Sequence, residues 1–187
     1  MKNKKGFTLV ELLASLVILG LLTAVAAPNI IGILQSTKTE TYVTDAKKLS
    51  TLAEYRFRKD NTIKRPNIGQ CVLMTMSNLG TSEFKKPPYG GTYEDKKSFA
   101  VVCKENVTVG GTTTVKYVYY VQIIEKPKKD EPSDPDTYNG ILLTKVSDIK
   151  QDQVKAGLST VQEPGPSTTS LTKATGGNLN NIIQRYF

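Results

Sequence analysis

The sequence predicts an α+β protein: one long N-terminal helix packed on an antiparallel β-sheet head. Three observations lead there. Phe7 to Ala27 is an apolar stretch that contains one charged residue, Glu11. From Tyr42 onward apolar residues recur at helical spacing, as Tyr42, Ala46, Leu49, Ala53 and Phe57. After residue 97 the apolar period shortens to two, the signature of strands.

The helix is read from Phe7 to about Lys59. Its first half is apolar all round and, at about 1.5 Å per residue, long enough to cross a bilayer core. Its second half carries one apolar stripe, opposite a solvated face of Lys38, Glu40, Asp45, Lys47, Lys48, Glu54 and Arg58. Glu54 and Arg58 stand at ion-pair spacing. Pro28 removes one backbone donor and crowds the preceding turn, so a bend or weak point is expected there.

Residues 60–97 are mixed. Cys71-Val72-Leu73-Met74-Thr75-Met76 is read as a short helix, with a strand as the alternative. Pro87-Pro88-Tyr89-Gly90-Gly91-Thr92 is a turn. Ser98–Val109 alternates as a strand, Gly110-Gly111 signals a hairpin, and Val115–Ile124 is apolar on both faces, the mark of a central strand. Lys126–Asp136 is a charged, Pro-rich loop, and Tyr138–Val146 is a third strand. These three strands make a meander with one apolar face for the helix stripe. The tail from Ser147 is polar, except for Leu179–Phe187, read as a short helix or a final strand.

Composition limits the chemistry. Of 187 residues, 25 are basic and 17 acidic, and there is neither His nor Trp. The commonest general base and zinc ligand are therefore missing. No enzyme activity, cofactor or metal is expected. Two Ser-x-x-Lys matches, Ser147–Lys150 and Ser170–Lys173, lack the companion motifs of an acylating enzyme and read as chance. The acids Asp130, Glu131, Asp134 and Asp136 could offer oxygens to calcium, but they are interleaved with Pro132 and Pro135 and read as a solvated loop. The basic pairs Lys64-Arg65, Lys85-Lys86 and Lys96-Lys97 are scattered and have no stacking series beside them, so nucleic acid is not the favoured partner. Cys71 and Cys103 can bridge in an oxidising compartment; spacing leaves two buried thiols as the alternative.

The start of the chain is the most specific segment. Lys2-Asn3-Lys4-Lys5-Gly6, then Phe7-Thr8-Leu9-Val10-Glu11-Leu12, the apolar run and Pro28 together resemble the N-terminus of type IV pilins and pseudopilins. The resemblance implies that a prepilin peptidase cuts between Gly6 and Phe7 and methylates the new amine. It implies that Phe7, Glu11 and Pro28 serve assembly, and that the helix can unwind near Pro28 in the filament. The domain reading follows: 1–6 a leader, 7–60 the long helix with 7–27 as membrane span and filament core, and 61–187 a globular head. Partners are then other pilin subunits, the peptidase, the assembly machinery and the membrane. The leader lysines hold the N-terminus in the cytoplasm, and the assembled subunit lies in an extracellular filament, a pilus or a type II secretion-like one. In the better-known pilins the disulfide closes a loop near the C-terminus; Cys71 and Cys103 depart from that. The Lys-, Asn- and Thr-rich composition resembles that of low-GC Gram-positive proteins. Two other readings remain. One is a DNA-uptake pseudopilin with the same fold. The other is a secreted soluble domain whose ordinary signal peptide is cut near Ala27; Glu11 and the length of the apolar run oppose it.

Overall fold

The computed structural model describes residues 7–80, 84, 86–127 and 137–186, and of Pro28 the backbone alone. The leader 1–6 with Gly6, Lys85, and the acidic segment 130–136 lie outside the described residues. The chain divides into two compact units, Met1–Thr37 and Lys38–Phe187.

Helix α1 is continuous from Leu9 to Lys59, and its helical backbone runs on through Pro28. It closes with Arg56, Arg58 and Lys59 in its last turn, where cations suit the C-terminal end of the helix dipole. Glu54 and Arg58 meet at 2.6 Å. The Arg65 guanidinium lies 4.3 Å from the centre of the Phe57 ring and donates to the Phe57 carbonyl, one of the acceptors the helix end leaves open.

The second unit is built on a seven-stranded sheet. Its strands are β1 (Cys71–Thr75), β2 (Thr92–Tyr93), β3 (Phe99–Val109), β4 (Thr112–Lys126), β5 (Tyr138–Lys145), β6 (Val154–Leu158) and, after a separate hairpin of β7 (Leu171–Thr172) and β8 (Asn178–Leu179), β9 (Ile182–Tyr186). The order across the sheet is β6-β5-β4-β3-β1-β9, with β2 beside one end of β4. β3, β4 and β5 form the expected meander, joined first by Gly110 (φ 58°) and Gly111 (φ 81°). Two successive positive φ values make the tight hairpin turn that only such residues enter without strain.

One face of the sheet takes the α1 stripe. Tyr42, Ala46 and Leu49 pack against Val121, Ile123 and Ile141, and Ala53 and Phe57 against Val72, Met74, Ala100 and Val102. All five stripe residues are buried. Fully burying a side chain such as Leu49 or Phe57 contributes about 1.5–3 kcal/mol.

Two expectations need correction. Cys71–Met76 is not one helix: Cys71–Thr75 is strand β1, and Met76 opens the four-residue helix α2 (Met76–Leu79). β1 lies between β3 and β9 and is buried along its whole length, so no alternation survives in its sequence to give away a strand. Nor is the sheet apolar on one face only. Leu73, Val101, Val118, Tyr120 and Leu143 form a second core with Leu171 and Leu179 of the β7–β8 hairpin. The polar tail therefore folds over the sheet and seals it with two leucines. The C-terminal apolar segment, read as a short helix or a final strand, supplies strand β9, which runs parallel to β1 in an otherwise antiparallel sheet.

A polar network sits inside the helix–sheet interface. Glu125 is fully buried; it accepts a hydrogen bond from the Tyr42 hydroxyl and another from the Gly91 N–H at 2.7 Å. A Cβ at position 91 would come 2.0 Å from the Lys126 carbonyl oxygen, so only glycine lets the loop approach this closely. Tyr93 donates to Asp45 at 2.6 Å. Burial, then the neighbouring carboxylates, push the Tyr42 and Tyr93 hydroxyls well above the ordinary phenol range.

Candidate functional site

The N-terminal segment of α1 is where sequence reasoning places function. Phe7 precedes the helix and is 84% exposed. Thr8 is the last non-helical residue; its carbonyl takes the first helical bond, from Leu12 N–H at 3.2 Å. That makes Thr8 the N-cap and Glu11 the third residue of the helix.

The two side chains satisfy each other. The Thr8 hydroxyl oxygen accepts from the Glu11 N–H at 3.3 Å. Glu11 Oε2 in turn accepts from the Thr8 N–H at 2.9 Å and from the Thr8 hydroxyl at 2.8 Å. This is a capping box, and it puts the carboxylate at the positive end of the helix dipole. The sequence reading picked out Glu11 and missed Thr8. The signal was present, since Thr8-Leu9-Val10-Glu11 has the Thr-x-x-Glu spacing that a capping box requires.

Four further polar side chains of this stretch also turn back onto their own helix. Ser15, Thr23 and Thr37 hydroxyls donate to the carbonyls of Glu11, Leu19 and Ile33 at 2.8, 2.8 and 2.9 Å. Asn29 reaches the Val25 carbonyl at 3.4 Å. Between Phe7 and Ala27 what remains outside is apolar. Leu9, Leu12, Leu13, Leu16, Val17 and Leu19 are all more than half exposed. The helix is long and apolar enough to cross a membrane. An apolar surface of this extent on a single chain marks a site for lipid or for other chains.

The remaining expected site residues lie apart from this segment. Pro28 belongs to α1 by its backbone. Cys71 and Cys103 are direct cross-strand partners in β1 and β3, their Cα atoms 4.0 Å apart, and they are joined by a disulfide. The Ser-x-x-Lys matches assemble no nucleophile pair: Ser147 donates to Asp148, and Ser170 to Asn180. No group of three or more Asp, Glu, His or Cys residues suited to a metal occurs among the described residues.

The family description "prokaryotic N-terminal methylation motif" matches residues 1–27. No curated protein and no solved structure matches the chain. The segment is thus a type IV pilin-type prepilin motif. It supports a pilin-like subunit, processed by a prepilin peptidase and anchored in a membrane before assembly.

Proposed function

We propose that this chain is the structural subunit of a helical filament, a type IV pilus or a type II secretion-like one, and is added to it through Phe7–Ala27. On this reading residues 1–6 are the leader, 7–60 the long helix and 61–187 the head. The observation that carries it is the motif at residues 1–27, with Glu11 capped by Thr8 in an otherwise apolar surface.

Before assembly the apolar half of α1 sits in the cytoplasmic membrane with the leader lysines on the cytoplasmic side. A lone charge at the centre of a membrane helix costs about 2.5–3.5 kcal/mol on insertion scales, an upper bound for Glu11 in the first turn. The two Thr8 donors offset part of this cost without any second chain. A partner peptidase hydrolyses the Gly6–Phe7 peptide bond, which removes the leader and leaves an amine on Phe7. In the filament, Glu11 of one subunit pairs with the Phe7 amine of its neighbour. A cation is a stronger donor to a carboxylate than a neutral amide or hydroxyl, so the exchange of Thr8 for the neighbour's amine favours docking. In a low-dielectric surrounding a misplaced subunit leaves that charge alone, at a cost of several kcal/mol, and so the pair sets the register of addition. Apolar contact between parallel helices supplies most of the cohesion. Each subunit presents one surface and receives a different one, the geometry that yields an open helical polymer. The chain performs no chemical step itself.

The test is incorporation. Glu11→Leu subunits, co-expressed with the native chain, are expected to remain in the membrane and be nearly absent from sheared filaments. Entry into filaments at the native rate would sink the proposal.

A further inference from the structure

The sheet has an open edge beside α1. β5 pairs with β4 only across Tyr120–Glu125, then leaves as a 3-10 turn at Val146–Asp148. From Tyr119 back to Thr112, β4 is paired with β3 alone among the described residues. The two-glycine turn makes Val109 and Thr112 the closing hydrogen-bonded pair. Alternation along the ladder then turns the backbone N–H and C=O of Thr113, Val115 and Tyr117 away from β3. All three residues are exposed. Outward-facing amide groups along a sheet edge are a template for another strand.

This edge forms one side of a groove of about 430 Å³, with Lys47, Ser50 and Glu54 of α1 along the other side and Lys145–Ser147 at its end. β5 marks the track: a strand continuing its line would lie in the groove. The charge of the groove selects what fits. Lys47, Lys116 and Lys145 line it, with Glu105 of β3 opposite Lys116 in the ladder, so that Lys47 and Lys145 carry most of the free positive charge. Glu54, the one acid among its described lining residues, is held by Arg58 at 2.6 Å. Lysines on an edge discourage pairing with a second copy of the same edge, which brings the same charges. They favour a strand with acidic side chains.

We propose that the β4 edge between Thr112 and Tyr119 receives an extended acidic segment of another protein, added as a strand in line with β5. The inference is independent of assembly through the N-terminal helix, which involves none of these residues.

The test uses the full chain in detergent micelles and a fluorescent peptide of alternating Glu and Val. Two control peptides accompany it, one with Lys in place of Glu and one N-methylated at alternate amides. The Glu–Val peptide is expected to bind at least about tenfold more tightly than either control, since one loses the charge match and the other the backbone pairing. It should slow amide exchange at Val115 and Tyr117. Val115→Pro removes an N–H that faces away from β3, so the fold should tolerate it while the peptide no longer binds. Lys47→Glu combined with Lys145→Glu should also weaken binding by at least about tenfold. Equal binding of the N-methylated peptide overturns the proposal, as does failure of the Glu–Val peptide to bind. So does inorganic polyphosphate that binds the native chain and the Val115→Pro variant alike and displaces the peptide; the groove is then a general polyanion site. Should Val115→Pro lower the melting temperature, the N-methylated peptide decides by itself.

Discussion

From Leu9 to Thr37 every described side chain of α1 is exposed, whereas from Tyr42 to Phe57 every third or fourth residue is sealed under the sheet. The two stretches share one helix and solve opposite problems. In the second, polar side chains face outward and an apolar stripe is covered by the chain's own strands. In the first, Ser15, Thr23 and Thr37 fold back onto the helix backbone, and the apolar surface is exposed among the described residues. On the proposed function the first stretch is completed by lipid or by other subunits, while the second is completed on folding. One helix thus carries a half that the sheet covers and a half that, on the proposed function, serves assembly, and mutations in the two should fail in different ways.

The largest contrast is expected from truncating leucine-sized side chains. Phe57→Ala or Leu49→Ala removes buried volume and should cost about 3–5 and 2–5 kcal/mol of head stability, respectively. Leu16→Ala, the same chemistry on the uncovered half, should change head stability by less than about 0.5 kcal/mol. Denaturant unfolding of the full chain in micelles measures both. A loss for Leu16→Ala as large as that for Leu49→Ala would break the comparison.

Next is the disulfide. Cys71 and Cys103 are 32 residues apart, and replacing both with Ser should cost about 3–4 kcal/mol in the chain-entropy account. Filament entry should persist where the head still folds. Glu125→Leu comes third. It strands the Tyr42 hydroxyl and the Gly91 N–H, at about 1–3 kcal/mol for each buried group.

The head should also weaken in alkali. Tyr42 and Tyr93 keep their protons in the folded state well beyond the point, near pH 10, at which an unfolded tyrosine loses its own. Their contribution is therefore complete below about pH 10 and is lost as pH rises beyond it. Melting temperatures measured from pH 8 to 11.5 should fall above pH 10; a level profile would contradict the burial of these hydroxyls. The smallest effect is expected at Thr8. Thr8→Ala should cost about 1 kcal/mol, confined to the first helical turn and read as faster amide exchange there, with the head unchanged.

Much of this was legible in the residues. The stripe Tyr42, Ala46, Leu49, Ala53 and Phe57 predicted both the helix and the face it buries, because one face is covered and the other solvated. β3, β4 and β5 were visible through their alternation and the Gly110-Gly111 turn. β1 was not, because a strand buried on both faces has no period to read. The second sheet face was missed because its cover rests on Leu171 and Leu179, two apolar residues in a polar tail that local pattern cannot assign to a core. At the N-terminus Glu11 stood out as a charge in an apolar run, while Thr8 passed as a neutral neighbour until the hydrogen bonds joined the two. The Tyr42–Glu125–Gly91 network joins residues far apart in sequence, and nothing local announces such a pairing.

The most direct test of the account is the mass and N-terminal sequence of the mature protein from the membranes of its native host. The account predicts a chain that begins at N-methylated Phe7, with Glu11 and the whole apolar half retained for assembly. A chain that begins near Ala27 would contradict it, because the capping box and the uncovered helix would then be discarded before the protein acts.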